Sequence, residues 1–473
     1  MYIRCGYQNN TGENYSIVFD PDVKFVPNNY NASVSNGYNN YGGIGLSVQG
    51  YYYNGKIVLP KDSLSCMHML TQLNSYNHVI SIPNNVVTCQ GMFAASENYN
   101  KPVLITSNVK DCYGMFIECT KFNSDVLFMG NNVESCNAMF KYCYNFNHSV
   151  LIPDSVTDCG NMFVGCTSLN KPVHVSNSLI DGSNMFVGCY NFNQPVTIPD
   201  SAENCYGMFA ICRNLNHQVN LGNNIINCAY MFQGCQRYNY PVTVPDTAEN
   251  CSTMFESCIN FNSVIHIGNN VKDCSYMFTL CNNFNQPVTI PDGVINCFKM
   301  FNECVKFNQS VIIPDSVENC SRMFSVADSV FSNSILNTMF DGNVHIGNNV
   351  KDCSYMFHDC ANFSKIVTIP NSVTNCYAMF RGCWNLGSSH TIYVPDSVID
   401  YFNIVDGANF GTISIPRYLQ RAGQNEGASN NFGICSRARL GAFVIIRDTG
   451  EVYEGVNYYN ESSHSNWVKW QLV

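Results

Sequence analysis

The chain has 473 residues and a formal net charge of −10, and Asp, Glu, Lys and Arg together make up only 12 % of it. Nucleic acids and anionic membrane surfaces bind clusters of Lys and Arg, so this composition argues against both as partners. No run of about 18 apolar residues would span a membrane, and residues 1–20 lack the apolar segment of a signal peptide. We therefore expect a protein that stays in the cytoplasm where it is made, unless it leaves inside a larger particle.

Residues 1–60 do not repeat and are rich in Tyr, Asn and Gly. Short alternating runs occur at 45–48 and 56–59, and alternation of apolar and polar residues is typical of strands. We predict loops and a few strands here. They either cap the repeats that follow or form a separate attachment domain.

Residues 61–399 are built on a 23-residue unit, and eleven of the thirteen steps between successive units have that length. A period in the twenties that is kept so strictly predicts a solenoid, here of about 14 stacked repeats. The longest step contains residues 325–341, which predicts an inserted loop. The units begin at Cys66, Cys89, Cys112, Cys136, Cys159, Gly182, Cys205, Cys228, Cys251, Cys274, Cys297, Cys320, Cys353 and Cys376.

Within each repeat, the spacing of the apolar residues changes once, from the spacing of a helix to that of a strand. With the first residue counted as position 0, Cys, Met, Phe and Cys occupy positions 0, 3, 4 and 7, a spacing that lines one face of a short helix. The Asn or Asp that usually precedes position 0 is a preferred helix N-cap. A Val-x-Ile strand follows and is ended by Pro or Gly. The pattern predicts an α/β solenoid with a parallel sheet on one wall and short helices on the other.

Twenty-six cysteines raise the question of disulfides or zinc. On a helix, positions 0 and 7 are about 10.5 Å apart along the axis, and neighbours in one column are expected beyond the ~7 Å limit for a disulfide. The sequence contains no Cys-x-x-Cys pair, the spacing that is typical of a zinc site. We predict reduced thiols packed as small apolar groups, with disulfides as the alternative, and neither metal nor cofactor.

The repeat unit F-x-G-C-x-x-F/L-x-x-x-V-x-I-P-x-x-V-x-x-C-x-x-M-F resembles the BspA-like leucine-rich repeat. The likeness covers about 66–396, roughly 70 % of the chain, although Cys replaces the usual Ile at position 0 and Phe often replaces Leu at position 10. The resemblance implies a leucine-rich-repeat superhelix. It also implies adhesion or recognition, as in proteins of bacterial and protist surfaces and of some phages, and no enzymatic reaction.

Residues 400–473 lose the repeat pattern and alternate at 442–446 and 452–456. This pattern predicts a small β-rich module that caps the solenoid or forms its own unit. The ending WVKWQLV, residues 467–473, resembles the closing strands of some phage tail fibres.

Three sets of residues are candidates for a role in structure or binding, and no motif for catalysis is present. The residue between Val and Ile of the strand is expected to face outward and to line a polar groove for sugar hydroxyls or a protein loop; its polar members are His174, Thr197, Asn220, Thr243, His266, Thr289, His345 and Thr368. A solvated sheet face without a ligand is the alternative.

The second set is an Asn at position 11, which we expect to form a structural ladder: Asn77, Asn100, Asn123, Asn147, Asn170, Asn193, Asn216, Asn239, Asn262, Asn285 and Asn308. The third is a set of tyrosines predicted on the helix surface, which form a second candidate surface: Tyr113, Tyr206, Tyr230, Tyr276, Tyr355 and Tyr377.

The sequence therefore favours a non-enzymatic recognition protein. Missing export signals and the fibre-like ending favour a phage tail component on the virion surface that binds a glycan or protein of a host cell and contacts other particle proteins. Such a component is either a single chain or a homotrimer. The alternative is an extracellular adhesin or interaction scaffold on a bacterial or protist cell surface. A hydrolase module in residues 1–60 or 400–473 is a third hypothesis.

Overall fold

The computed structural model describes residues 2–3, 17–19, 57–59, 61, 63–326, 339–416, 442–460 and 465–473. Most of the predicted N-terminal region, residues 327–338 of the predicted insertion, and residues 417–441 and 461–464 of the predicted C-terminal module lie outside them. The chain divides into two compact units, Met1–Tyr238 and Asn239–Val473. Among the described residues, no helix is long and apolar enough to cross a membrane.

The first unit is a solenoid of parallel strands preceded by a small antiparallel sheet. That sheet contains β1 (Tyr2–Ile3), β2 (Ile17–Phe19) and β3 (Ile57–Val58). The repeat strands pair in parallel one repeat apart, with Val103 opposite Val126, which confirms the predicted parallel strand wall. They are β4 (Val103–Ile105), β5 (Val126–Phe128), β6 (Val150–Leu151), β7 (Val173–His174), β8 (Val196–Thr197) and β9 (Val219–Asn220).

The second unit repeats this arrangement and ends in a five-stranded sheet. Its first strands, β10 (Val242–Thr243) with β11 (Ile265–His266) and β12 (Val311–Ile312) with β13 (Val344–His345), pair in parallel. The last sheet has parallel strands followed by antiparallel ones; it contains β14 (Gly387–Tyr393), β15 (Phe410–Ile415), β16 (Phe443–Ile446), β17 (Glu451–Asn460) and β18 (Ser465–Leu472). The repeat pattern continues past residue 399, because the N–H groups of Cys376 and Ala378 donate to the carbonyls of Asp400 and Phe402.

The predicted helical wall is wrong: the described residues contain no helix. Positions 0–8 of each repeat form a wall of consecutive turns, which we call the turn wall. From Cys274 to Leu280, every second N–H donates to a carbonyl of the next repeat, as in Tyr276 N to Phe298 O at 2.8 Å. The N–H groups of Met277 and Thr279, which lie between these donors, bond three residues back, as in Thr279 N to Tyr276 O at 3.0 Å. The Asn or Asp before position 0 therefore begins a turn, with Asp273 Oδ1 accepting from Ser275 N–H at 2.9 Å.

This alternation depends on left-handed residues at positions 2 and 6. Tyr276 and Leu280 have φ of 57° and 62°. A right-handed helix excludes these values, and residues other than Gly adopt them at a cost of about 1–2 kcal/mol each. Gly165 also occupies position 6 and has φ of 74°. The hydrogen bonds to the next repeat offset the strain, so the turn wall is stable only in a stack.

The core lies between the two walls and contains the apolar side chains that the period predicts. Met277, Phe278, Cys274 and Cys281 are fully buried, as are their counterparts in neighbouring repeats. The aromatic rings stack along each unit, with the ring centroids of Phe278 and Phe301 5.5 Å apart and the planes 5° from parallel. Burial of these rings is the main stabilising term of each repeat.

The Asn at position 11 links each repeat to the next along the surface of both units. The side-chain oxygen of Asn285 accepts from the backbone N–H of Asn308 at 2.9 Å, and the backbone N–H of Asn285 donates to Asn262 Oδ1 at 2.9 Å. These side chains are exposed or half-buried. The ladder therefore bonds to the backbone of the next repeat.

We expect Asn285→Ala to lower the free energy of unfolding by about 0.5–1.5 kcal/mol, since it removes one acceptor at a site that water reaches. Asn285→Asp keeps the oxygen and should lose less than half as much. Asp341 already fills this position elsewhere, and its Oδ1 accepts from Ser364 N–H at 2.8 Å. Denaturant unfolding of the two variants tests the prediction, and equal losses would contradict it.

Candidate functional site

The parallel repeat strands β4 to β13 form what we call the strand wall, and in most repeats it carries one outward side chain between two buried ones. In β7, Val173 is buried and His174 is exposed, and β8 has the same pattern with Val196 and Thr197. All eight polar residues predicted to face outward are exposed. Their placement on this wall follows from the alternation of side chains along a strand.

The structure brings some of these eight residues together and separates others. Thr197 and Asn220 are register partners on β8 and β9, and Asn220 Nδ2 lies 3.5 Å from Thr197 Oγ1. Thr243 and His266 are register partners on β10 and β11. His266 and His345 belong to separate strand pairs of the second unit, so the outward polar residues of that unit form no single cluster.

Apolar side chains on the same outward column are missing from the set predicted from the sequence. Leu127 and Leu151 in the first unit expose 60 % and 70 % of their surface, and Ile312 in the second exposes 70 %. The signal was readable, because these residues also stand between the two inward residues of a strand. A prediction restricted to polar residues overlooked them.

Each unit has a shallow groove on the strand wall centred on these apolar side chains. The first, about 510 Å³, is lined by Leu127, Leu151 and His174 together with Pro153 and Pro172. Leu151 and His174 are register partners on β6 and β7, so an apolar and a titratable side chain stand next to each other. Large exposed apolar side chains with a polar surround are typical of interaction sites.

The groove of the second unit, about 790 Å³, is lined by Thr289, Ile312 and His345 and is acidic at its edge, with Asp292 and Asp315. The backbone N–H of Asn348 donates to Asp315 at 2.7 Å and lowers the pKa of that carboxyl, so Asp315 is ionised at neutral pH. The groove thus has an apolar centre and a negatively charged rim.

The six tyrosines predicted to form a second binding surface lie on the turn wall. In the second unit they contact neighbouring side chains: the guanidinium of Arg322 lies 4.0 Å from the ring centroid of Tyr355, and Lys299 Nζ lies 5.4 Å from that of Tyr276. Tyr355 and Tyr377 pack with centroids 5.0 Å apart. Tyr113 and Tyr206 in the first unit are more exposed. The contacts in the second unit favour a role in packing for its turn-wall tyrosines.

The cysteines at position 7 donate hydrogen bonds from the core to the preceding repeat. Cys281 Sγ lies 2.9 Å from the carbonyl oxygen of Phe255, and Cys304 Sγ lies 2.8 Å from that of Phe278. Ser96 occupies the same position, and its Oγ donates to Leu70 O at 2.5 Å. Cysteine thus combines a small apolar side chain with a donor for a buried carbonyl, a reason for its presence that the sequence did not show.

We expect Cys281→Ala to lower the free energy of unfolding by about 1–3 kcal/mol, because it leaves a small void and one acceptor less satisfied. Cys281→Ser keeps the donor and the approximate volume, so its loss should be smaller. Thermal and denaturant unfolding of both variants under reducing conditions check the order. A serine variant less stable than the alanine variant would show that the donor does not matter.

The structure contradicts the predicted spacing of the cysteines at position 0. Neighbours in this column were predicted to lie beyond the bridging limit, but Cys320 Sγ and Cys353 Sγ are 3.7 Å apart. Turns bonded from repeat to repeat hold this wall at strand spacing, whereas packed helices would spread it. The described cysteines are free thiols, and the described residues contain no group of three or more His, Cys, Asp or Glu that could hold a metal ion.

Three solved structures are similar to this chain at low identity. A leucine-rich repeat protein from Bacteroides ovatus is 17 % identical, with 69 % of this chain and 87 % of that chain covered and a TM-score of 0.42. A leucine-rich cell surface protein from Faecalibacterium prausnitzii is 15 % identical, with 88 % and 89 % covered and a TM-score of 0.29. A leucine-rich repeat protein from Eubacterium ventriosum is 17 % identical, with 74 % and 86 % covered and a TM-score of 0.31.

These TM-scores are low, so the likeness carries no argument about what this chain binds. None of the three structures supports the predicted phage tail role, virion location or host attachment. No curated protein matches the chain.

The model of one protein family matches the repeats. The matches cover residues 64–152, 152–245, 203–313, 226–338, 291–393 and 315–414, and together they span most of the chain. They coincide with the stacked repeats of both units, including the repeat that follows residue 399. The chain therefore belongs to the family described as "Mycoplasma protein of unknown function, DUF285".

Proposed function

We propose that this chain is a non-enzymatic recognition protein, a cell-surface adhesin or interaction scaffold, that binds a partner protein on its strand wall. The observation that carries the proposal is the groove of the second unit, where Ile312 is 70 % exposed between Thr289 and His345. An apolar centre with a polar rim is the usual anatomy of a protein interface.

The apolar side chains favour a protein ligand over a glycan. A glycan site would present mostly hydrogen-bonding groups, whereas Leu151 and Ile312 offer none. Asp292 and Asp315 at the edge of the second groove favour a partner surface with Lys or Arg around an apolar patch, so binding should weaken as the salt concentration rises. Assembly into a trimer and contacts with other particle proteins stay predictions from the sequence.

The test is the labelling of a panel of intact bacterial and eukaryotic cells with the purified full-length chain. Cells are compared before and after protease treatment, and before and after periodate oxidation of their glycans. We expect protease to abolish labelling and periodate to leave it. The reverse result would replace the protein partner by a glycan, and no labelling of any cell would overturn the recognition function.

Ile312→Asp should weaken binding by about tenfold or more, because it places a charge at the centre of the groove. Ile295→Asp is the matched control: Ile295 is also an exposed isoleucine of the second unit, at 47 %, and does not line the groove. In the first unit, Leu151→Asp and Ile180→Asp form the equivalent pair. If both members of each pair bind cells like the unaltered chain, the strand wall is not the binding surface.

A further inference from the structure

Two thiols at position 0 lie side by side in the second unit. Cys320 Sγ and Cys353 Sγ are 3.7 Å apart, and both side chains are fully buried. The preceding residues, Asn319 and Asp352, form a parallel bridge, which holds the two backbones at a strand spacing of about 4.8 Å. Residues 33 positions apart in the sequence are thus neighbours in space.

We propose that Cys320 and Cys353 form a disulfide bond that joins two consecutive repeats when the chain folds under oxidising conditions. A disulfide needs a Cα separation of about 4.4–6.8 Å and a bond of about 2.05 Å between the sulfurs. The strand spacing already lies in that range. The sulfurs need to approach by only about 1.7 Å, which a small rotation of the side chains provides.

The position 7 thiols are poorer candidates, because they donate to backbone carbonyls at shorter distances than Cys320, whose Sγ lies 3.5 Å from Asp352 O. Cys304 Sγ lies 2.8 Å from Phe278 O, and Cys360 Sγ lies 3.1 Å from Phe324 O. A disulfide there would break these hydrogen bonds and leave buried acceptors less satisfied.

Bond formation requires an oxidant, for which oxidised glutathione is sufficient. The thiolate of one cysteine attacks glutathione disulfide and releases one reduced glutathione; the second cysteine then displaces another. Two electrons pass to glutathione, and its two sulfurs take up the two protons. The hydrogen bond to Cys353 and burial raise the pKa of Cys320, so the folded chain reacts slowly and the bond forms during folding.

The bond would enclose the longest step of the array, residues 320–353, in a covalent loop. Closure of such a loop restricts the unfolded chain and stabilises the second unit. The inference does not depend on what the strand wall binds. It also predicts that the thermal midpoint of the oxidised chain lies several degrees above that of the reduced chain.

The experiment starts from full-length chain that has been reduced and unfolded. The chain is refolded in a mixture of reduced and oxidised glutathione, its free thiols are blocked with an alkylating agent under denaturing conditions, and its peptides are mapped by mass spectrometry. We expect most molecules to contain a peptide pair linked through Cys320 and Cys353. The rise in thermal midpoint should disappear in Cys353→Ser and persist in Cys304→Ser, the control from the other column.

Alkylation of both Cys320 and Cys353 in nearly all molecules after oxidative refolding would overturn the inference. So would links scattered without preference over the two columns. If Cys353→Ser does not fold, the peptide map of the unaltered chain decides alone.

Discussion

Phe278→Ala is expected to lower the free energy of unfolding by about 3–5 kcal/mol, the largest effect of any single substitution considered for this chain. The ring is fully buried, and its centroid lies 4.4 Å from that of Phe284 and 5.5 Å from that of Phe301. Its removal takes away transfer free energy and leaves a cavity in a stack that cannot collapse, because the turn wall holds each repeat at a fixed spacing.

Phe298→Ala is the matched control for this prediction. Phe298 is half-buried on the turn wall of the next repeat, with an edge contact to Tyr276 at 5.1 Å, so its loss should cost less than about 1 kcal/mol. Because repeat arrays unfold in parts, hydrogen exchange of wall amides such as Tyr276 N–H should accompany denaturant unfolding. Equal losses for the two variants would show that the ring stack is not the main source of stability.

Gly268→Val is expected to lower the free energy of unfolding by about 3 kcal/mol, the second largest effect. Gly268 ends a repeat strand, and a Cβ atom added there would overlap the carbonyl oxygen of Pro245 in the preceding repeat. Gly222 and Gly347 have the same relation to Pro199 and Pro314. The overlap is with backbone, so it can be relieved only by a shift of the whole repeat.

The close approach of Gly268 to Pro245 accompanies a hydrogen bond between the same two repeats. The repeat with Pro carries an Asp whose carboxylate binds the repeat with Gly: Asp246 Oδ1 accepts from Asn269 N–H at 2.9 Å. Ser176→Ala is the control, at a position where the chain already accommodates a Cβ. It should lose only the two hydrogen bonds of Ser176 Oγ, which donates to Val156 O and accepts from Ser178 N–H, about 1–2 kcal/mol. A valine at 268 without effect on thermal unfolding would mean that the spacing of the repeats adapts freely.

The candidate site was predictable in part. The alternation in β7, β8 and β9 places His174, Thr197 and Asn220 outward, and the structure agrees. The exposed Leu151 and Ile312 at the equivalent position were not assigned to the surface, because apolar residues in a strand are ordinarily expected inside. Which of these residues bind a partner is a separate question that the cell-labelling experiment addresses.

The sequence by itself determined the period, the parallel stacking and the inward residues, because a strict 23-residue repeat leaves the same apolar side chains to be buried in every copy. It did not determine the conformation of positions 0–8. Apolar residues at positions 0, 3, 4 and 7 suit a short helix and also suit turns with left-handed residues such as Tyr276 and Leu280.

A helix satisfies its backbone N–H groups within itself, whereas these turns satisfy every second one with the next repeat. Only the tertiary structure, in which that repeat lies at strand spacing, decides between them. The same spacing brings Cys320 next to Cys353, so the proximity of the two thiols is a property of the stack and could not be read from one repeat.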